Sequence, residues 1–101
     1  MLIPKHKRYR NKKILKAAQG QYCTYRSPWC NHDHNTVVAC HKSGAGMGMK
    51  ADDDQVFFGC SACHDIYDGR MKSPLSRDQR EQMAELAILE TQQILRQMKL
   101  L

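Results

Sequence analysis

The chain has 101 residues, enough for one domain with short extensions, and carries 16 Lys+Arg against 10 Asp+Glu, a formal charge of +6. Five cysteines and five histidines are a dense supply of metal-binding side chains, whereas aromatic residues make up only 7%. No run of about 18 apolar residues is present for a membrane span, the composition excludes collagen-like and low-complexity chains, and a domain this small commonly needs a staple beyond its apolar core.

Seven of the sixteen basic residues fall in the first sixteen positions: Lys5, Lys7, Arg8, Arg10, Lys12, Lys13 and Lys16, with Tyr9 among them. The stretch lacks the apolar run and small-residue cleavage site of an export signal, so a reducing cytosol is the expected compartment. It reads either as a nucleic-acid-binding arm or as a solvated positive tail. A short helix is expected over 14–19, ended by Gly20. Residues 21–35 read as irregular, because Ser27-Pro28, Asn31, Asp33 and Asn35 are turn formers. Residues 36–41 and 55–59 read as two strands, joined through a glycine-rich loop (Gly44, Gly46, Gly48) and Asp52-Asp53-Asp54. Ser61 is the expected N-cap of a helix to about Tyr67, with Gly69 as its stop. Ser73-Pro74 breaks the chain again, and Ser76 or Asp78 caps a long final helix. Met83, Leu86, Ala87, Ile94 and Met98 share one face of that helix, widened by Ala84, Ile88 and Leu95, with Glu81, Glu85, Gln92 and Arg96 opposite. Such a face packs on its own core, or pairs with a second copy or a partner.

Cysteines in a reducing compartment point first to metal. Cys60-Ser61-Ala62-Cys63 is a C-x2-C at a strand-to-helix junction, where a tight turn aims two thiolates at one point. Cys23 and Cys30 form a wider C-x6-C upstream. Together they offer the four sulfurs of a tetrahedral structural Zn²⁺ site. His32 or His34 could replace one sulfur. Thioredoxin-like redox chemistry at Cys60/Cys63 lacks its βαβ surroundings, and unrelated buried thiols are the remaining reading.

His64 follows Cys63 directly, and Asp68 lies four residues further, on the same face of the expected helix. His64 is one step of about 100° beyond Cys63, which turns it away from the thiolates. His41 ends the first strand, and the strand-loop-strand-helix order carries it opposite His64 and Asp68. One histidine beside a histidine–carboxylate pair can hold a divalent ion next to a general base, the equipment of phosphodiester hydrolysis. A solvated i, i+4 pair is the plainer reading of His64 and Asp68.

These residues also resemble a known family. The first cysteine pair, Val38-Ala39-Cys40-His41, the stretch Gly44 to Lys50, and Cys60-Ser61-Ala62-Cys63-His64-Asp65 are similar to the small phage and prophage candidate nucleases of the YbcO type, in the HNH or ββα-metal endonuclease superfamily. The likeness covers roughly residues 14–70, and the C-x2-C-H portion is its most specific part. It implies an α+β fold: a basic arm at 1–16, a zinc-stapled ββα unit at 17–72, and an amphipathic helix at 73–101 packed on it. It implies a metal-dependent DNA endonuclease in the cytoplasm of a bacterial host. His41 would activate water, and His64 and Asp68 would hold a catalytic Mg²⁺ or Mn²⁺. Cys23, Cys30, Cys60 and Cys63 would hold structural Zn²⁺. Two positions depart from the family pattern. Cys40 stands where an Asp or His ligand often precedes the catalytic histidine. The central Asn that usually orients that histidine falls near Gln55, with Asp53 or Asp54 as acidic substitutes.

The partner is then nucleic acid, with Arg8, Arg10, Lys12, Lys13, Lys42, Lys50 and Arg70 as candidate phosphate contacts. The final helix offers a surface for a homodimer or a recombination protein. Two other classes fit the same residues: a non-catalytic zinc-knuckle nucleic-acid-binding module, and a protein-interaction adaptor using the last helix.

Overall fold

The computed structural model describes residues 10–42 and 52–101. The elements run α1 (Lys12–Ala17), a 3-10 turn (His34–Thr36), β1 (Val38–His41), β2 (Val56–Gly59), α2 (Ser61–Asp68) and α3 (Arg77–Gln97). The described residues form a small α+β fold with a two-stranded sheet and three α-helices. Arg8, the glycine loop at 44–50 and Lys50 lie outside the described residues. Among the described residues, no helix is long and apolar enough to cross a membrane.

α1 starts two residues earlier than its expected 14–19 span, because the Asn11 side chain caps the Lys13 N–H. Gly20, in the left-handed region at φ +78°, serves the turn beyond the helix instead of ending it. β1 is shorter than 36–41 because Thr36 is taken up by the 3-10 turn that the Asp33 side chain caps. The strands pair antiparallel, Val38 opposite Gly59 and His41 opposite Val56. Successive strand side chains point to opposite faces. Cys40 therefore enters the core while His41 turns outward.

All four residues of β2 are buried. α3 covers this strand, and Thr91 at the centre of its contact face accepts from the Phe58 N–H and meets the Thr24 hydroxyl at 2.9 Å. The buried stripe of α3 is Ala84, Ala87, Ile88, Thr91 and Leu95. Leu86 and Met98, expected on it, stand 70% and 38% exposed. Ala84, Ala87, Ile88 and Leu95 fall on the expected face, with Met83 and Ile94 partly buried against the core; the stripe also runs through Thr91, whose hydroxyl is satisfied by the strand. Ser76, not Asp78, is the cap, in a reciprocal capping box with Gln79. The aromatic centre is Phe57, stacked on Tyr25 at 4.9 Å and met edge-on by Tyr67 at 5.1 Å.

Gly59 is where strand and core come closest. A Cβ there would lie 2.9 Å from the Cys40 sulfur and 3.0 Å from the Phe57 ring. Gly59→Ala is therefore expected to cost about 1–3 kcal/mol through overpacking, read as a lowered urea midpoint with unchanged slope.

Candidate functional site

The polypeptide brings four sulfurs to one place. Sγ atoms of Cys23, Cys30, Cys60 and Cys63 all lie within 4.8 Å of one another. Cys60 and Cys63 enter from the β2–α2 corner. Cys60 is the N-cap of α2, with its sulfur accepting from the Cys63 N–H at 3.4 Å. Ser61, the cap expected from its hydroxyl, is instead the first residue of the helix, and Asn31 donates to its Oγ at 2.9 Å. Cys23 and Cys30 come from the loop that precedes the sheet. This loop is bent by Arg26 and His32, two non-glycine residues at φ +51° and +56°. Such backbone costs roughly 1 kcal/mol per residue. It is held by the Thr24 N–H on the Phe58 carbonyl and by a bidentate Arg26–Glu90 pair to α3.

The geometry suits a tetrahedral ion. With Zn–S bonds of about 2.3 Å, sulfurs sit about 3.8 Å apart along each edge. The Cys30 and Cys60 sulfurs are 3.7 Å apart. Three of the four residues are buried, all five cysteines are free of disulfides, and the Ser27 hydroxyl lies 3.2 Å from the Cys63 sulfur. A hydrogen bond with Cys63 pulls the Cys23 thiol down to about 4 against the effect of burial, and the same contact drives Cys63 upward. The set can thus hold a structural metal such as zinc. The four-ligand cluster is completed without His32 or His34. Cys40 stays apart from it: fully enclosed, its thiol is pushed far up by burial, which leaves it an unreactive core residue.

A second cluster lies on the outward side of the same hairpin. His41 Nε2 is 2.8 Å from Asp53 Oδ1. The Asp53 side chain is only 4% exposed and also accepts from the Asn11 backbone N–H at 2.7 Å, with Arg10 at 3.4 Å. Burial alone would raise the Asp53 carboxyl, but the His41 hydrogen bond, Asn11 and Arg10 outweigh it and hold it below the usual carboxylate range. Of the three acids and amides considered for orienting His41, Asp53 is the one that reaches it. On α2, His64 Nε2 is 3.1 Å from Asp68 Oδ2, as the i, i+4 spacing requires. An open cavity of about 520 Å³ is lined by His41, His64 and Arg70 together.

The charged candidates divide. Lys12 lines a cavity that reaches His41 and Asp53. Arg10 is drawn onto Asp53, and Arg70 lies 3.6 Å from Asp68 and 3.8 Å from Asp65. Lys42 lies 3.7 Å from Glu85 on α3, and Lys13 is on the exposed side of α1. Arg77 and Arg80 line the next cavity along, beside Arg70 and Asp68, and drew no notice from the sequence because they sit in the long helix pattern.

Two outcomes test this geometry. The chain should carry one zinc; Cys60→Ser and Cys63→Ser should lose both metal and fold, since structural zinc supplies about 10–16 kcal/mol in small domains, whereas Cys40→Ala should keep the metal. Asp53 has a folded-state pKa below its unfolded value, so its contribution is present above about pH 4 and fades as pH falls through the folded value. Asp53→Asn should therefore cost about 1–3 kcal/mol at pH 7 in chemical denaturation, and the gap from wild type should narrow below about pH 4.

Comparison with known proteins adds the lineage. The family described as "Putative nuclease YbcO" matches residues 12–100. Among solved structures, one described as that of "a putative bacteriophage protein" from Escherichia coli strain K-12, substrain MG1655, is similar at 29% identity with a TM-score of 0.71, covering 85% of this chain and 99% of that one. No curated protein matches. The family match runs from the first residue of α1 to beyond the end of α3, through both clusters, and the chain belongs to the YbcO putative nuclease family.

Proposed function

We propose that this chain is a metal-dependent DNA endonuclease of the HNH, or ββα-metal, type, of phage or prophage origin. The observation that carries the reading is the His41–Asp53 pair at 2.8 Å, opening onto a cavity that His64 and Arg70 also line. A buried carboxylate accepting from Nε2–H leaves Nδ1 of His41 with its lone pair. That nitrogen takes the proton from a water as its oxygen attacks phosphorus, and the bond to the leaving oxygen breaks. Asp53 fixes the ring and stabilises the imidazolium that forms. Arg70, with two carboxylates within 4.0 Å, is placed to exchange them for a phosphate oxygen.

His64 and Asp68 are the residues that would hold a catalytic ion. Their donor atoms, an imidazole nitrogen and a carboxylate oxygen 3.1 Å apart, are close enough for one divalent cation to take both. Mg²⁺ or Mn²⁺ there would supply charge stabilisation to the phosphate and the leaving oxygen. The sulfur cage has no part in the reaction; it fixes the corner between the hairpin that carries His41 and the helix that carries His64.

The experiment is plasmid nicking with added Mg²⁺ or Mn²⁺. His41→Ala and His64→Ala should stay folded and keep zinc, with cleavage lowered at least about 100-fold. Unchanged cleavage by both variants would remove the assignment. Salt-sensitive DNA retention by the wild type with no cleavage in either ion would favour a zinc-knuckle binding module instead, with Asp68 serving only as the ion-pair partner of His64 and Arg70.

A further inference from the structure

Three cavities share lining residues in succession from Arg10 through His41 to Arg80. The first, about 290 Å³, is bordered by Arg10 and Lys12 and reaches His41 and Asp53. The second, about 520 Å³, contains His41, His64 and Arg70. The third, also about 520 Å³, lies at the corner between α2 and α3 and is lined by Arg70, Arg77, Arg80, Tyr67, Asp68 and Glu81. His41 and Leu15 are common to the first two, and Arg70 to the last two.

The third cavity has three guanidinium groups against two carboxylates. Asp68 is shared between His64 and Arg70, and Glu81 accepts from the Tyr67 hydroxyl at 3.2 Å. Arg77 and Arg80 form no ion pair among the described residues. Arg77 is exposed, in the first turn of α3, where the helix dipole adds positive potential. Arg80 spends one donor on the Ile66 carbonyl at 3.4 Å, and its Nε is buried with no partner. Gly69, in the left-handed cap of α2, admits this guanidinium: a Cβ there would sit 2.9 Å from it. A half-buried guanidinium with unfilled donors, beside two more, fits the fork geometry of a phosphate.

We propose that Arg70, Arg77 and Arg80 form a second phosphate subsite, which holds a phosphodiester of the bound DNA strand one or more steps from the bond above His41. The identity of the strand rests on the nuclease reading; the subsite itself is read by binding alone. Arg10 and Lys12 then flank the reacting phosphate on its other side, and the strand crosses His41 between two cationic ends.

The test is anisotropy of a labelled DNA duplex of about 20 base pairs, titrated at several salt concentrations with no added divalent ion. Arg77→Glu should weaken binding roughly tenfold and flatten the dependence of log K on log salt by about one contact, and Arg80→Lys should weaken it less. Arg96→Glu makes the same charge change in the last turn of α3 and should leave affinity nearer the wild type. Wild-type affinity and slope in both Arg77→Glu and Arg80→Lys would overturn the subsite, as would an equal loss in Arg96→Glu or no DNA binding by the wild type. A wild type that binds as described but never cleaves would sink the nuclease reading while leaving the subsite standing.

Discussion

The convergence of four sulfurs at the start of α2 is the constraint on which the rest of the structure depends. Two of them belong to the β2–α2 corner and two to the loop before the sheet, which takes left-handed turns at Arg26 and His32. Cys60 is at once a member of the cage and the N-cap of α2. Fixing that sulfur fixes where the helix begins, and therefore which way every later residue of the helix faces. Cys63, Ile66 and Tyr67 go inward, while His64 and Asp68 stand about one-third exposed on the other side. One helix of eight residues thus separates the sulfur cluster from the histidine–carboxylate pair.

The hairpin makes the same separation from the other direction. Pleat alternation sends Cys40 into the core against Gly59 and leaves His41 on the outer face. Asp53, just before β2, is buried against His41 and receives the Asn11 N–H from the start of α1. Arg10 and the start of α1 are thereby anchored beside His41. This sets a cost on specificity: a carboxylate lies near the region where a phosphate would bind, and it is tolerable because His41, Arg10 and a backbone donor neutralise it.

Much of this was legible in the residues. C-x2-C at a strand-to-helix junction gave away half of the cage, and the i, i+4 spacing of His64 and Asp68 gave their pairing. The C-x6-C half was legible as composition more than as spacing, because a six-residue gap closes on one point only when its backbone takes left-handed turns that no local pattern demands. Asp53 could be named among three candidates, but choosing it required knowing that α1 folds back to supply Asn11. The packed face of α3 is legible in Ala84, Ala87, Ile88 and Leu95 but not in Thr91, since periodicity counts apolar residues and cannot see a strand N–H waiting for a hydroxyl. Arg77 and Arg80 were invisible for a similar reason: arginines in a long helix look solvated until the chain reversal at Gly69 brings them beside Arg70.

We propose that one short hairpin and helix present two separate ion sites, and anomalous diffraction from crystals of the zinc-loaded chain soaked in Mn²⁺ reads both. A zinc peak enclosed by the four cysteine sulfurs and a distinct manganese peak between His64 and Asp68, on the side facing His41, are expected. Manganese bound elsewhere, with density confined to the cysteines and nothing between the imidazole and the carboxylate, would contradict it.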